Sequence, residues 1–265
     1  MSASTPAASS LSGFSLARRL RAGETVHTAW CSLASPIVAE LIAREGFRAV
    51  TLDQQHGLFD VATTAAAIAA LRAVGSAPIV RIPLGDFAVA SRVLDFGAEG
   101  IIAPMINNEA DARALVAATK YPPLGERSWG PHRATTLAGV ADPKIYLRDA
   151  NDLVVTFAMI ETRTALVNID AIAATPGIDA LFLGPSDLSI ALSEGQTLDP
   201  HAAEVEREID RIAKAAARAG KIFGAYCATA ERAQALGPRG LRFFAVGSDL
   251  MFLRAGTATT LAGLR

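Results

Sequence analysis

Short apolar, β-branched runs alternate with stretches of helical period along most of this chain, about eight times over, and few folds accept that alternation. Residues 25–33, 49–53, 78–82, 100–106, 153–160, 180–183, 222–226 and 243–246 read as strands. Between them, residues 36–45, 63–74, 87–96, 109–119, 165–174, 204–219 and 231–236 read as helices. The clearest is 204–219, where Ile209, Ile212, Ala213 and Ala216 share one face and charges occupy the other. Gly97 stops the helix before it. Strands separated by helices of this length pair in parallel, and their near-continuous apolar character fits a sheet covered on both faces.

With 265 residues, one barrel fits better than two small domains, since (β/α)₈ barrels run near ~250 residues. About eight units favour a closed barrel over an open doubly wound sheet, and no G-x-G-x-x-G follows the first strand to suggest a dinucleotide site. We therefore expect an α/β (β/α)₈ TIM barrel over residues 14–265, preceded by a flexible small-and-polar tail over 1–13. Residues 122–152 are the one long irregular stretch, to be read as a functional loop or as a segment hiding a helix. Residues 251–265 form a short apolar end that suits a terminal helix packed on a neighbouring subunit.

Several function classes are set aside by composition. A net charge of -1 offers no basic footprint for nucleic acid or an anionic membrane. No apolar run approaches the ~18 residues of a membrane span, and the start of the chain lacks the pattern of a secretory signal. The two cysteines, Cys31 and Cys227, read as free thiols of a cytoplasmic protein.

In such a barrel the chemistry sits where the strands end. There the sequence places Asp53-Gln54-Gln55-His56-Gly57, then Arg81, then Pro104 and Met105, then Glu161, then Gly184-Pro185-Ser186-Asp187, and finally Gly247-Ser248-Asp249. Glu161 and Asp187 each end a strongly apolar strand, where a carboxylate must be solvated, paired or metal-bound. Two carboxylates suit a hard ion such as Mg²⁺ or Mn²⁺ that keeps waters and takes substrate oxygens. The plainer alternative pairs Glu161 with Arg163 or Arg81 and leaves Asp187 capping a turn. Arg81 suits a substrate carboxylate or a developing enolate, or else an ion pair with a barrel carboxylate. His56, three residues after Asp53, suits an oriented acid–base dyad or a structural role. The Gly184-Pro185-Ser186 turn can offer backbone N–H groups to an anion.

Five segments in order carry a resemblance: Asp53-Gln54-Gln55-His56-Gly57, Pro78 through Pro83 (PIVRIP), Tyr121 through Arg127 (YPPLGER), Met159 through Thr162 (MIET) and Leu183 through Ser189 (LGPSDLS). Together they resemble the HpcH/HpaI family of pyruvate-dependent class II aldolases, over about residues 20–253. The resemblance implies a (β/α)₈ barrel of the phosphoenolpyruvate/pyruvate-like superfamily, assembled as a trimer or hexamer with exchange of the last helix. It implies Glu161 and Asp187 as ligands of a divalent ion (Mg²⁺, Mn²⁺ or Co²⁺) and Arg81 on the keto oxygen of pyruvate. It implies His56 with Asp53 as the acid–base dyad, and Ser186 with Gly184 and Pro185 at the substrate carboxylate. The reaction implied is cleavage and formation of 4-hydroxy-2-oxo acids from pyruvate or hydroxypyruvate and an aldehyde. One departure stands out: Gln55 replaces the acidic residue that many members carry before the histidine, and Gln54 replaces a small one. Those amides remove negative charge beside the dyad and bear on the proton route and on the choice of aldehyde or donor.

The chemistry is coherent, because an enolate needs an electron sink and a metal ion with Arg81 supplies one. A Schiff-base route needs a lysine at a strand end, and none of Lys120, Lys144, Lys214 and Lys221 is read there. A CoA-thioester lyase of the citrate-lyase-like group and a non-catalytic barrel that binds a 2-oxo acid are the alternative readings. The first wants a basic groove and the second an incomplete site, and the sequence shows neither.

Overall fold

The computed structural model describes residues 13–264. Its eight parallel strands close in sequence order, β1 through β8 and back to β1. They are β1 Val26–Cys31, β2 Ala49–Asp53, β3 Ala77–Arg81 and β4 Gly100–Ala103, then β5 Val155–Ile160, β6 Ala180–Leu183, β7 Ile222–Cys227 and β8 Phe243–Ser248. The helices before β5 are α1 Leu16–Arg21, α2 Pro36–Arg44, α3 Val61–Ala73, α4 Phe87–Phe96, α5 Glu109–Thr119, α6 His132–Leu137 and α7 Pro143–Leu153. After it come α8 Arg163–Val167, α9 Ile169–Ala174, α10 Pro185–Leu192, α11 Ala203–Arg218, α12 Ala230–Leu236 and α13 Asp249–Ala262.

Two apolar layers hold this architecture. One lies between strands and helices, where Val50, Leu52, Val80, Ile101 and Leu181 meet Ile68, Leu94, Leu115 and Ile212. The other fills the barrel with residues that alternate along the strands, including Trp30, Ile79, Phe157, Phe182 and Phe243. Phe157 and Phe243 pack inside the barrel with ring centroids 4.6 Å apart, tilted by 37°. Each such ring removed from water is worth about 1.5–3 kcal/mol.

Helix starts follow side-chain chemistry. Ser35, Asp60, Asp86, Asn108, Asp142, Thr162, Thr229 and Ser248 each accept a backbone N–H of the first turn of the helix that follows. Gly97 ends α4 with φ 107°, a left-handed cap that glycine adopts without strain.

Some expectations need correction. The irregular stretch 122–152 contains α6 and α7; Asp142 and Pro143 mark the start of α7, and Tyr146, Ala150 and Leu153 bury its apolar face. Helix α1 lay unread before β1; Leu16, Ala17 and Leu20 join the barrel-interior cluster from below. The helix expected over 165–174 is broken at Asn168 into α8 and α9. The fourth strand stops at Ala103 rather than at residue 106, because Pro104 follows and Met105 is left-handed (φ 53°). The Gly184-Pro185-Ser186-Asp187 segment, read as a turn, opens α10. Lys120 follows α5 and is buried, its Nζ donating to Asp179 (2.7 Å) and to the carbonyls of Asn151 and Val154. The tail expected over 1–13 lies, except for Gly13, outside the described residues. Among the described residues no helix is long and apolar enough to cross a membrane.

Candidate active site at the barrel mouth

The strand register builds the centre of the site. Asp53 and Arg81 end β2 and β3 and are paired residues of that ladder. Their side chains meet as a fork: Arg81 Nε donates to Asp53 Oδ1 (2.8 Å) and Nη2 to Oδ2 (2.6 Å). Trp30 Nε1, from the end of β1, also donates to Asp53 Oδ2 (3.2 Å), and its ring lies under the guanidinium at 4.8 Å. Burial pushes the Asp53 carboxyl up, but Arg81, Trp30 and the His56 N–H together hold it below the usual carboxylate range. Asp53 therefore stays ionised and fixes Arg81, whose Nη1 takes no part in the fork and is left for a ligand. The ion-pair alternative for Arg81 is thus realised, and Arg81 still lines the mouth.

The dyad looks different from its expected form. Asp53 Oδ1 accepts the backbone N–H groups of Gln55 (3.0 Å) and His56 (3.3 Å), so it shapes the loop that carries the histidine. The His56 side chain is exposed at the rim of the cavity, and Arg81 and Trp30 take up the Asp53 oxygens that were expected to orient it. Gln54 turns away and donates to Thr64 Oγ1 (2.8 Å). Gln55 Oε1 is buried with no partner among the described residues.

Glu161 follows β5 and is only 2% exposed. Its Oε1 accepts the Met105 N–H (2.8 Å). Its Oε2 faces Gly184, where a methyl group on the backbone would sit 2.1 Å away; only glycine lets the carboxylate lie this close to the β6 end. Burial, with the charge of Asp187 adding to it against the Met105 N–H and Arg81, raises the Glu161 carboxyl from its ordinary 4.5 to about 7. Arg163 is not its partner, since that guanidinium donates to the carbonyls of Ala191 (2.8 Å) and Leu192. Among the described residues neither Glu161 nor Asp187 makes a salt bridge. Asp187 lies in the first turn of α10, whose N-cap is Gly184, so the turn-capping alternative for Asp187 does not apply.

These carboxylates fit a divalent ion by charge and donor type. Two carboxyl groups with no salt-bridge partner, one nearly buried, can be relieved by a proton on Glu161 or by a cation between them. No group of three or more His, Cys, Asp or Glu side chains gathers among the described residues, so an ion held by this pair alone would need waters and substrate oxygens to complete its shell. The cavity measures about 310 Å³ and is lined by Asp53, His56, Arg81, Gly184, Pro185, Ser186 and Asp187.

Sequence reasoning missed the apolar wall, formed by Trp30, Met159, Phe182 and Tyr226, and Ser32 at the rim, while Ser248, expected at the end of the last strand, does line the cavity. Trp30 stacks on Phe182 at 6.2 Å and meets Tyr226 edge-on at 5.7 Å. The available signal was a large aromatic near the end of β1 and of β7, where barrel side chains face the site.

The chain is similar to known proteins over most of its length. The model of the family described as HpcH/HpaI aldolase/citrate lyase matches residues 27–255. A hydroxypyruvate/pyruvate aldolase of Rhizorhabdus wittichii is 37% identical over 243 residues, covering 92% of this chain and 95% of the relative. A 5-keto-4-deoxy-D-glucarate aldolase of Salmonella arizonae is 36% identical, covering 86% of this chain and 88% of the relative. The crystal structure of an HpcH/HpaI aldolase from Desulfitobacterium hafniense superposes with a TM-score of 0.87 at 29% identity, over 94% of this chain and 96% of that one.

Proposed function

The chain belongs to the HpcH/HpaI aldolase/citrate lyase family, and from that premise we propose that it is a class II aldolase for 4-hydroxy-2-oxo acids. Its donor is pyruvate or hydroxypyruvate and its acceptor an aldehyde, in keeping with the names of its relatives. The observation that carries the reading is the pair Glu161 and Asp187, without salt bridges: Asp187 lines a cavity that also holds the Asp53-fixed guanidinium of Arg81, and Glu161 lies buried beside it against Gly184.

A divalent ion (Mg²⁺, Mn²⁺ or Co²⁺) held by Glu161 and Asp187 supplies a Lewis acid for the keto oxygen. Arg81 offers a guanidinium already oriented by Asp53 to the same oxygen, where charge grows as the enolate forms. Ser186 and the first N–H groups of α10 receive the substrate carboxylate; Pro185 at the first position has no N–H, and no side chain caps this helix. In the cleavage direction His56 accepts the proton of the 4-hydroxyl, the C3–C4 bond breaks, and its electron pair passes into the enolate. Reprotonation at C3 completes the 2-oxo acid. Trp30, Phe182, Met159 and Tyr226 keep the floor of the site dry, which strengthens the Arg81 interaction. An aldol assay with pyruvate or hydroxypyruvate and small aldehydes checks this: turnover lost in EDTA and restored by Mn²⁺ or Mg²⁺ is expected. Turnover indifferent to EDTA would refute the metal.

We propose a cytoplasmic homo-oligomer, trimeric or hexameric. Cys31 and Cys227 are both free and buried. Helix α13 exposes Leu250, Met251, Phe252, Leu253 and Leu261, apolar surface around the helix that a second copy would cover. Light scattering should give three or six times the 27.6 kDa chain mass; an active monomer would overturn this.

A further inference from the structure

We propose that Asn107 is a positioning residue for Glu161, acting through the left-handed residue Met105. This inference rests on the metal reading given above.

Met105 has φ 53°, a conformation that costs a residue with a side chain about 1 kcal/mol or more and persists only where its surroundings enforce it. It carries the N–H that holds Glu161 Oε1 at 2.8 Å. Two residues on, Asn107 has all four of its polar groups engaged. Its side-chain Nδ2 donates to the Met105 carbonyl (3.0 Å), and its Oδ1 accepts from the hydroxyl of Thr162, the neighbour of Glu161. Its own N–H donates to Asp111 Oδ2 (2.9 Å) in the first turn of α5. Its carbonyl accepts from Asn168 Nδ2 (2.9 Å) at the break between α8 and α9.

Asn107 thus ties the loop after β4 to the loop after β5. With the Met105 carbonyl held on one side and the Asn107 backbone anchored on the other, the peptide between Pro104 and Met105 is fixed with its N–H towards Glu161. One carboxylate oxygen is immobilised, and Oε2, on the Gly184 side, is left for the proposed ion. Partners that orient a ligand in this way typically contribute 10–100-fold in metal affinity.

The test is Mn²⁺ binding to metal-stripped full-length protein by calorimetry, alongside kcat at saturating Mn²⁺ and the melting temperature without metal. Asn107→Ala removes both side-chain links. Asn107→Asp keeps the acceptor for Thr162 and replaces the donor to Met105 by an oxygen that repels that carbonyl, while adding a negative charge that by itself would tighten a cation. We expect both variants to bind Mn²⁺ roughly tenfold or more weakly, with kcat at saturation within about threefold and both metal-free variants still melting cooperatively. Asn107→Asp that binds Mn²⁺ as tightly as wild type overturns the proposal, as does a fall in kcat with unchanged affinity. Glu161→Gln separates the two layers of the argument. If it loses Mn²⁺ while Asn107→Asp keeps it, only the role of Asn107 falls; if it keeps Mn²⁺, the metal reading falls and this inference with it.

Discussion

Glu161→Gln is expected to lower aldol turnover by roughly 10³-fold or more, and at the same time to stabilise the metal-free protein at alkaline pH. The first effect follows from the loss of an anionic ligand at the proposed two-carboxylate metal site. The second follows from burial. The Glu161 carboxyl titrates near 4.5 when exposed and at about 7 in the folded protein, so between those values the native state binds the extra proton. Native stability of the metal-free protein therefore falls as pH rises through that window, and above pH 7 the full cost of the buried charge is present. A shift of this size corresponds to something on the order of 3 kcal/mol. The neutral, isosteric amide does not pass through that titration, so the variant should match wild type near pH 4 and exceed it at pH 8. Denaturant melts of stripped protein at both pH values check the stability effect, and a steady-state assay checks turnover. A variant that is equally stable at both pH values relative to wild type would mean that Glu161 is solvated or already paired. A variant that keeps turnover would favour a reaction that does not use this carboxylate.

Arg81→Lys keeps the charge and loses the fork. Lysine cannot occupy both Asp53 oxygens at the spacing of Nε and Nη2, and it cannot lie flat over Trp30 as the guanidinium does. The remaining ammonium is drawn to Asp53 and away from the keto oxygen. We expect kcat to fall by about 10²–10³-fold, the scale of losing one preorganised donor at a developing oxyanion. Mn²⁺ affinity should be nearly unchanged, because Asp187 and Glu161 remain. The buried Asp53 carboxylate is left less well satisfied, so a lower melting temperature accompanies the loss. A kcat within a few-fold of wild type would show that Arg81 is a structural ion pair only.

Much of this site was legible before any coordinates because barrel topology turns linear position into spatial position. Arg81, Glu161 and the 184–187 segment each follow an apolar run, and closing eight such runs into a ring brings their ends together. The order of the strands and the helix stop at Gly97 were equally plain. What stayed hidden depends on which atoms face one another. Asp53 and His56 are three residues apart, a spacing that suggested a dyad, yet β2–β3 register assigns the carboxylate to Arg81 and gives His56 only a backbone bond. The left-handed Met105 was invisible because neither it nor Pro104 is a glycine that would signal φ above zero. Helix α6 was missed because six residues are too few to show a period, and α1 because its partners are the barrel-interior residues, far away in sequence. Trp30 and Tyr226 read as ordinary strand aromatics until the ring placed them at its mouth.

The central claim is that Glu161 and Asp187 hold an ion that, with Arg81, stabilises the enolate of a 2-oxo acid, and it can be tested without knowing the aldehyde. Pyruvate is incubated with the protein in D₂O and the loss of its methyl proton signal is followed by NMR, first with Mg²⁺, then with EDTA, then with Glu161→Gln. We predict enzyme-dependent deuterium exchange that stops with EDTA and is absent in the variant. Exchange that proceeds equally in EDTA, or equally in Glu161→Gln, would contradict the account.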